Sequence, residues 1–406
     1  MSSLGGPGTL SAAERSFVLS KVSQSIALYF AHWEDAQINQ HELDDAFHTL
    51  VGEAMACEDR RAFSLLMMAF LARLNNGHTR FLDPMLNAAS PLGLTLRPVE
   101  GRWTVLDAQV PGAQAGDLVL AIEGKPVEIR FEELGAYAVG SPQSRTVQFG
   151  EPSPLFAALL ALFLPESCAV TLEDARGQRH SLTVDRTALP PAAPAVTEGR
   201  WLADDLAYIR IPSFLDPAFE ARAVSYVREF ADAPCLILDV RGNHGGSTPQ
   251  ALTRALMERP YRWWAESSPL NDGLLTYQAH RFSQSSLAWR APTSDPAPDA
   301  YPGRLLILVD RATYSAAEDF AMPFKDNRRA ILIGETTGGS TGQPYMHTFE
   351  NGLQFAIGTK RATLPDGTPF EGLGLQPDVI VTARREDLYA GRDPVLEAAR
   401  ALCRDM

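Results

Sequence analysis

The chain has 406 residues, more than one compact core organises, so two or three domains are expected. A hydrophobic share of 45% with 21% charged residues is that of a globular protein, and a net charge of −13 without a basic run argues against nucleic acid or anionic membrane partners. No run reaches the roughly 18 apolar residues that a bilayer span needs.

Residues 1–88 read as a helical region. The first twenty residues lack a charged start followed by an apolar core, so a cytoplasmic location is expected, or a periplasmic or secreted one should a leader precede them. From Leu10 to Arg73 the apolar positions follow helical spacing: Phe17, Val18, Val22, Ile26, Ala27 and Phe30 form one stripe, and Phe63, Leu66, Met67, Phe70 and Leu74 another. The loop motif LNNGHTRFLD then carries His78. Residues 89–187 are β-rich, with an interruption from Glu128 to Ser167 that holds the apolar stretch PLFAALLALFL. Residues 188–200 are a Pro/Ala-rich linker.

Residues 201–406 alternate strand and helix patterns: LAYIRIP, FEARAVSYVREFA, CLILDVR, TPQALTRALME, LLILVD, SAAEDFAMPF and AILIGET. This alternation predicts an α/β core with a largely parallel sheet. Within it, DVRGNHGG ends a buried strand in a Gly-rich loop, where Gly245 and Gly246 allow close backbone approach and present N–H groups to a ligand. Ser315 of TYSAAEDFA stands at a strand-to-helix turn beside the unsatisfied N–H groups of a first helical turn. The same serine, with Glu318 three residues on, also fits a capping box. Between these loops, Tyr261, Trp263, Trp264, Tyr277, Phe282, Trp289 and Tyr301 belong to a long insertion that either overhangs the site as a wall or anchors itself by its rings. Cys57, Cys168, Cys235 and Cys403 lack metal spacing and read as thiols in a reducing compartment.

Four ordered motifs, LNNGHTRFLD, DVRGNHGG, TYSAAEDFA followed by LIGETTGG, and FEGLGLQPDVIV, together resemble the tail-specific, C-terminal-processing serine peptidases, more closely their tricorn-core branch. The resemblance implies a crotonase-like ββα catalytic core, a Ser315 nucleophile, and an oxyanion held by the Ala316 N–H and a glycine of the 245–246 pair. It further implies a peptide or protein substrate and no metal or organic cofactor. PLGLTLRPVEG and QAGDLVLAIEG resemble a PDZ domain, whose groove accepts an extended peptide and which the apolar stretch before Ser167 is placed to cover.

For the general base, the Ser-Lys branch places lysine where this chain has Ser340. Lys325 lies ten residues along the helix that begins at Ser315, roughly 15 Å away by helical rise, beyond reach of the hydroxyl. The tricorn-like branch takes a histidine and a glutamate from motifs matched here by His78 and Glu371. An imidazole is a competent base for serine, and a carboxylate fixes its tautomer. Gly77 stands where that branch has a linking serine, so Thr79 is the candidate hydroxyl between His78 and Glu371. A competing reading makes Ser340 of GGSTG a nucleophile elbow. The extended look of QPYMHTF and the lack of any histidine after His347 oppose it, and Gly338–Gly342 are then expected as a flexible wall.

Overall fold

The computed structural model describes residues 8–36, 38–87, 91–151, 158–189, 194–203, 205–269, 286–288 and 290–404. At its centre is a six-stranded sheet in the order Val379–Ile380, Ala330–Gly334, Arg304–Val309, Cys235–Asp239, Leu206–Arg210 and Glu198–Ala203. All neighbours are parallel except the last pair. The strands read as unbroken apolar runs because both faces are covered. Leu236, Leu238, Leu305, Ile307 and Val309 pack with Phe320 and Phe324 of the helix Ala316–Asp326, while Ile237, Leu306, Leu308 and Ile333 pack with Val395 and Ala399 of Pro394–Arg404. Burying each such Leu or Ile contributes about 1.5–3 kcal/mol. In register, Asp239 stands beside Leu308, so the loops that follow these two strands leave the same sheet edge side by side. The strand Glu198–Ala203 starts inside the expected linker because it pairs with Leu206–Arg210.

The helix Pro394–Arg404 also overturns the cysteine expectation: Cys235 and Cys403 form a disulfide, while Cys57 and Cys168 are free thiols. The partners are 168 residues apart and meet only because the last helix folds back over the first residue of a central strand. No spacing rule reads such a pair.

Helices Ala12–Tyr29, Gln40–Ala56 and Arg60–Ala72 begin at Ser11, Asn39 and Asp59, each of which accepts a backbone N–H of its own first turn. Ser11 with Glu14 and Asn39 with Glu42 complete capping boxes. Val18, Val22, Ile26, Phe30, Phe63, Met67, Phe70 and Leu74 are buried as their spacing predicts. Phe17 is not: it is 60% exposed, one position off the buried stripe, with its ring edge-on to Phe349. This core also contains Phe349, Leu353, Phe355 and Ile357 from the far end of the chain. The strand Arg80–Leu82 pairs antiparallel with Gln354–Ile357, and that pairing anchors the loop carrying His78 to the C-terminal half.

Residues 94–185 contribute an antiparallel sheet in the order Leu94–Val99, Arg102–Ala108, Leu118–Ile122, Ser167–Glu173 and Arg179–Asp185, with its own apolar core. The helix Pro142–Gly150 lies against the edge strand Leu94–Val99, so closely that a Cβ at Gly150 would stand 2.4 Å from the Leu96 carbonyl oxygen. The stretch expected to cover that edge does something else. Leu159, Leu160 and Leu162 are buried within the core of this unit, and residues 154–157 lie outside the described residues.

Candidate active site

The turn before Ser315 is built from its own side chains. Asp310 ends the strand Arg304–Val309 and accepts the N–H groups of Ala312 at 3.1 Å and Thr313 at 3.0 Å, while the Thr313 hydroxyl donates to the Val240 carbonyl at 2.9 Å. Ser315 is held at φ 55°, a conformation that costs a non-glycine residue about 1–3 kcal/mol and persists only under external constraint. The constraints are visible: the Ser315 N–H donates to the Ser340 carbonyl at 3.2 Å and to Glu318 Oε2 at 3.1 Å. Glu318 therefore caps the serine's N–H, its own N–H donates to the Ser315 carbonyl at 2.7 Å, and the Ser315 hydroxyl has a second neighbour. It lies 3.0 Å from His78 Nε2.

The other ring nitrogen, His78 Nδ1, is 2.8 Å from the Ser340 hydroxyl. Glu371 and the Tyr314 phenol lie near the same hydroxyl. A serine hydroxyl has one proton to give and two lone pairs to receive. With its proton turned toward Glu371, the hydroxyl accepts from an Nδ1–H. In that tautomer Nε2 carries the lone pair, facing Ser315. Ser340 is thus the hydroxyl that joins His78 to Glu371, the place for which Thr79 was the sequence candidate. Thr79 is committed elsewhere: its hydroxyl donates to Asn76 Oδ1 at 3.0 Å and accepts from the Gly358 N–H at 3.0 Å. Gly77 leaves room for Tyr314, since a Cβ there would lie 2.0 Å from the phenol oxygen. The Tyr314 ring stacks on the imidazole at 5.2 Å between centroids and 9° between planes.

Burial, helped by the charges of Arg80, His32 and Lys360, lowers the His78 pKa to about 3, so the ring is neutral at pH 7. Burial also raises Glu318 to about 8, against hydrogen bonds from Thr337, Gly339, Ser340 and Ser315. Glu371 is likewise raised by burial, against the Thr341 N–H at 3.2 Å. The Gly338–Gly342 segment is therefore a pinned wall rather than the flexible one expected. The N–H groups of Gly338, Gly339, Ser340 and Thr341 donate to Thr313, Glu318, Glu318 and Glu371 respectively, and the Thr341 hydroxyl reaches Asp319. A strand, Tyr345–Thr348, follows the segment, so Ser340 does not stand at the start of a helix as a nucleophile elbow requires.

The Gly-rich loop lies directly against the serine. A Cβ on Gly245, at φ 94°, would stand 2.7 Å from Ser315 Cβ and 2.9 Å from the Ala316 nitrogen. The Gly245 N–H donates to Asn243 Oδ1 at 2.9 Å, so of the glycine pair Gly246 is the one without an acceptor among the described residues, as is Ala316. Lys325 pairs with Asp378 at 2.7 Å, away from the serine. In the aromatic insertion, Tyr261, Trp264 and Tyr301 are buried anchors, and the Trp264 indole donates to Asp319 at 2.9 Å. Tyr277, Phe282 and Trp289 lie outside the described residues.

Residues 205–381 match the model of Peptidase family S41. The chain is 27% identical over 344 residues to the chloroplastic C-terminal processing peptidase of Tetradesmus obliquus, covering 79% of this chain and 68% of that protein. It is 28% identical over 277 residues to the carboxyl-terminal-processing protease of Synechocystis sp., covering 68% of this chain and 56% of that one. It thus spans little more than half the length of the second relative. Among solved structures, mature CPAF is similar with a TM-score of 0.73 at 15% identity over 97% of this chain and 96% of that one. The photosystem II D1 C-terminal processing protease follows at 0.55 and 20% identity over 96% and 98%. At these identities the structural likeness speaks for the fold. The motifs of the matched region are readable in the sequence; the place of Ser340 beside His78 is not, because its GGSTG setting points to a different chemistry.

Proposed function

We propose that the chain is a serine peptidase acting on peptides or protein tails through an acyl-enzyme on Ser315. The observation that carries this reading is the continuous contact from the Ser315 hydroxyl to His78 Nε2 at 3.0 Å and from Nδ1 to Ser340 at 2.8 Å, with Glu371 behind it. His78 takes the serine proton as the acyl carbon is attacked and returns it to the leaving amine, then repeats the exchange with water. Glu371 acts through Ser340 to hold the ring. The N–H groups of Ala316 and Gly246 receive the negative oxygen of the tetrahedral intermediate. The names of the similar processing peptidases support this reading, as does the strained serine at a helix start.

In the same reading, the central sheet with its flanking helices is a crotonase-like core, and the antiparallel unit of residues 94–185 is PDZ-like. The Cys235–Cys403 bond favours an oxidising compartment over the cytoplasm. The test is a fluorophosphonate probe followed by peptide mapping: adduct on Ser315, absent in Ser315→Ala, is expected, and adduct on Ser340 would overturn the assignment. A peptide-library digest then separates a peptidase from an ester-cleaving or acyl-transferring enzyme with the same residues.

A further inference from the structure

Arg97 lies on the edge strand Leu94–Val99 of the antiparallel unit, yet its side chain is buried against the sheet edge that carries Ser315. Its Nε and Nη2 hold Glu151 at 2.5 and 2.8 Å, and its Nη1 reaches Asp310 Oδ2 at 3.1 Å and Glu335 Oε2 at 3.4 Å. Asp310 is the junction of both loops that form the site. Oδ1 accepts the Gly242 N–H at 2.9 Å, at the start of the Gly-rich loop, and the Ala312 and Thr313 N–H groups in the turn that sets Ser315. One carboxylate thus sets the spacing between the oxyanion donors and the nucleophile, and its second oxygen is oriented by a guanidinium from another sheet.

We propose that Arg97 is a positioning residue for the reaction, acting through Asp310 to hold the Gly-rich loop and the Ser315 turn in register. This rests on the reading of Ser315 as nucleophile. The physical argument is that a carboxylate with one oxygen committed to three backbone donors can still rotate about its Cα–Cβ and Cβ–Cγ bonds. A guanidinium N–H donated to the other oxygen removes that freedom, and Glu151, held by the Nε and Nη2 edge, in turn fixes the guanidinium. A shift of the turn by a fraction of an ångström separates Ser315 from its oxyanion donors more than it disturbs substrate contacts farther away, so the effect falls on the chemical step.

The experiment uses the full chain and compares Arg97→Gln combined with Glu151→Gln, which removes the Arg97–Glu151 charge pair together and leaves Asp310 its backbone donors, with Arg97→Lys and with Asp310→Asn. The control is Arg179→Ala, an exposed residue of the same sheet. Wild type must first show Ser315-dependent fluorophosphonate labelling and peptide hydrolysis; a wild type that does neither sinks the underlying reading and not this one. Given that activity, the double variant is expected to lose 10- to 100-fold in kcat with KM within about twofold, to label more slowly, and to unfold at a temperature near wild type. Arg97→Lys, which cannot bridge both acids as a fork, is expected to recover only part of the loss, and Arg179→Ala to lose nothing. In the Asp310→Asn background the Arg97 change should add less than threefold. A folded double variant with wild-type kcat overturns the proposal, as do multiplicative losses with Asp310→Asn. Should the double variant fail to fold, Arg97→Lys decides alone, and wild-type kcat there overturns it.

Discussion

Two serines flank one imidazole, and only their surroundings tell them apart. Ser315 faces Nε2 from a half-buried turn at positive φ, with the Ala316 N–H beside it and Gly245 pressed against its Cβ. Ser340 faces Nδ1 from a buried segment in which its N–H is held by Glu318 and its hydroxyl meets the imidazole at 2.8 Å. A nucleophile needs an accessible oxygen, a base with a free lone pair, and donors for the charge that develops. Ser340 has none of these left over. Its hydroxyl is taken up by the imidazole, and the short motif around it lacks the helix that a nucleophile elbow needs.

The comparison breaks most sharply at the nucleophile. Ser315→Ala and His78→Ala should each lower kcat by about 10⁴-fold or more, and their combination should cost little beyond either alone, since such groups act as a unit. Steady-state hydrolysis of an activated peptide ester measures this, and a clearly additive pair would show that His78 is not the base of Ser315. Next in size is Gly245→Val, which forces a side chain into Ser315 Cβ and the Ala316 nitrogen at a backbone angle that valine resists. A fall in kcat of about 10² or more is expected with a smaller change in KM; an unchanged kcat would remove this loop from the mechanism.

A smaller effect sharpens the other half of the comparison. Ser340→Ala removes the link from Nδ1 to Glu371 but leaves both Ser315 and the imidazole, so kcat should fall about 10- to 100-fold while probe labelling on Ser315 survives. Abolished labelling in a folded variant would make Ser340 more than a relay.

The smallest expected effect is on the pH profile. Because burial lowers the His78 pKa to about 3, falling pH does not charge the ring until well below 6.5, and kcat/KM should show no histidine limb near pH 6.5. The same depression makes the folded state bind fewer protons than the unfolded chain below pH 6.5. The contribution of His78 to stability is therefore lost progressively from pH 6.5 downward, as are those of His32 and His244, both lowered to about 4 by burial. Replacing His32 by leucine should raise the unfolding temperature more at pH 5 than at pH 8, and a difference of the opposite sign would show that His32 is charged in the folded protein.

Local chemistry was legible in the chain itself. Unbroken β-branched and leucine runs announced a sheet covered on both faces, the period of 3.6 announced the helices, and glycines at 245 and 246 announced a backbone that must approach closely, because each of these depends on neighbours in sequence. Asp310 and Glu318 act on residues within about a turn of themselves, yet their weight in the site emerged only when their remaining oxygens found Arg97 and the 337–340 segment. The tertiary structure alone decided that Ser340 and not Thr79 stands between His78 and Glu371, that Cys235 meets Cys403, and that Arg97 crosses from one sheet to the turn of another. In each case the partners are separated by more than 150 residues or by a choice between equivalent hydroxyls. The energy that selects among them comes from burying polar atoms with their partners, a quantity that no linear spacing records.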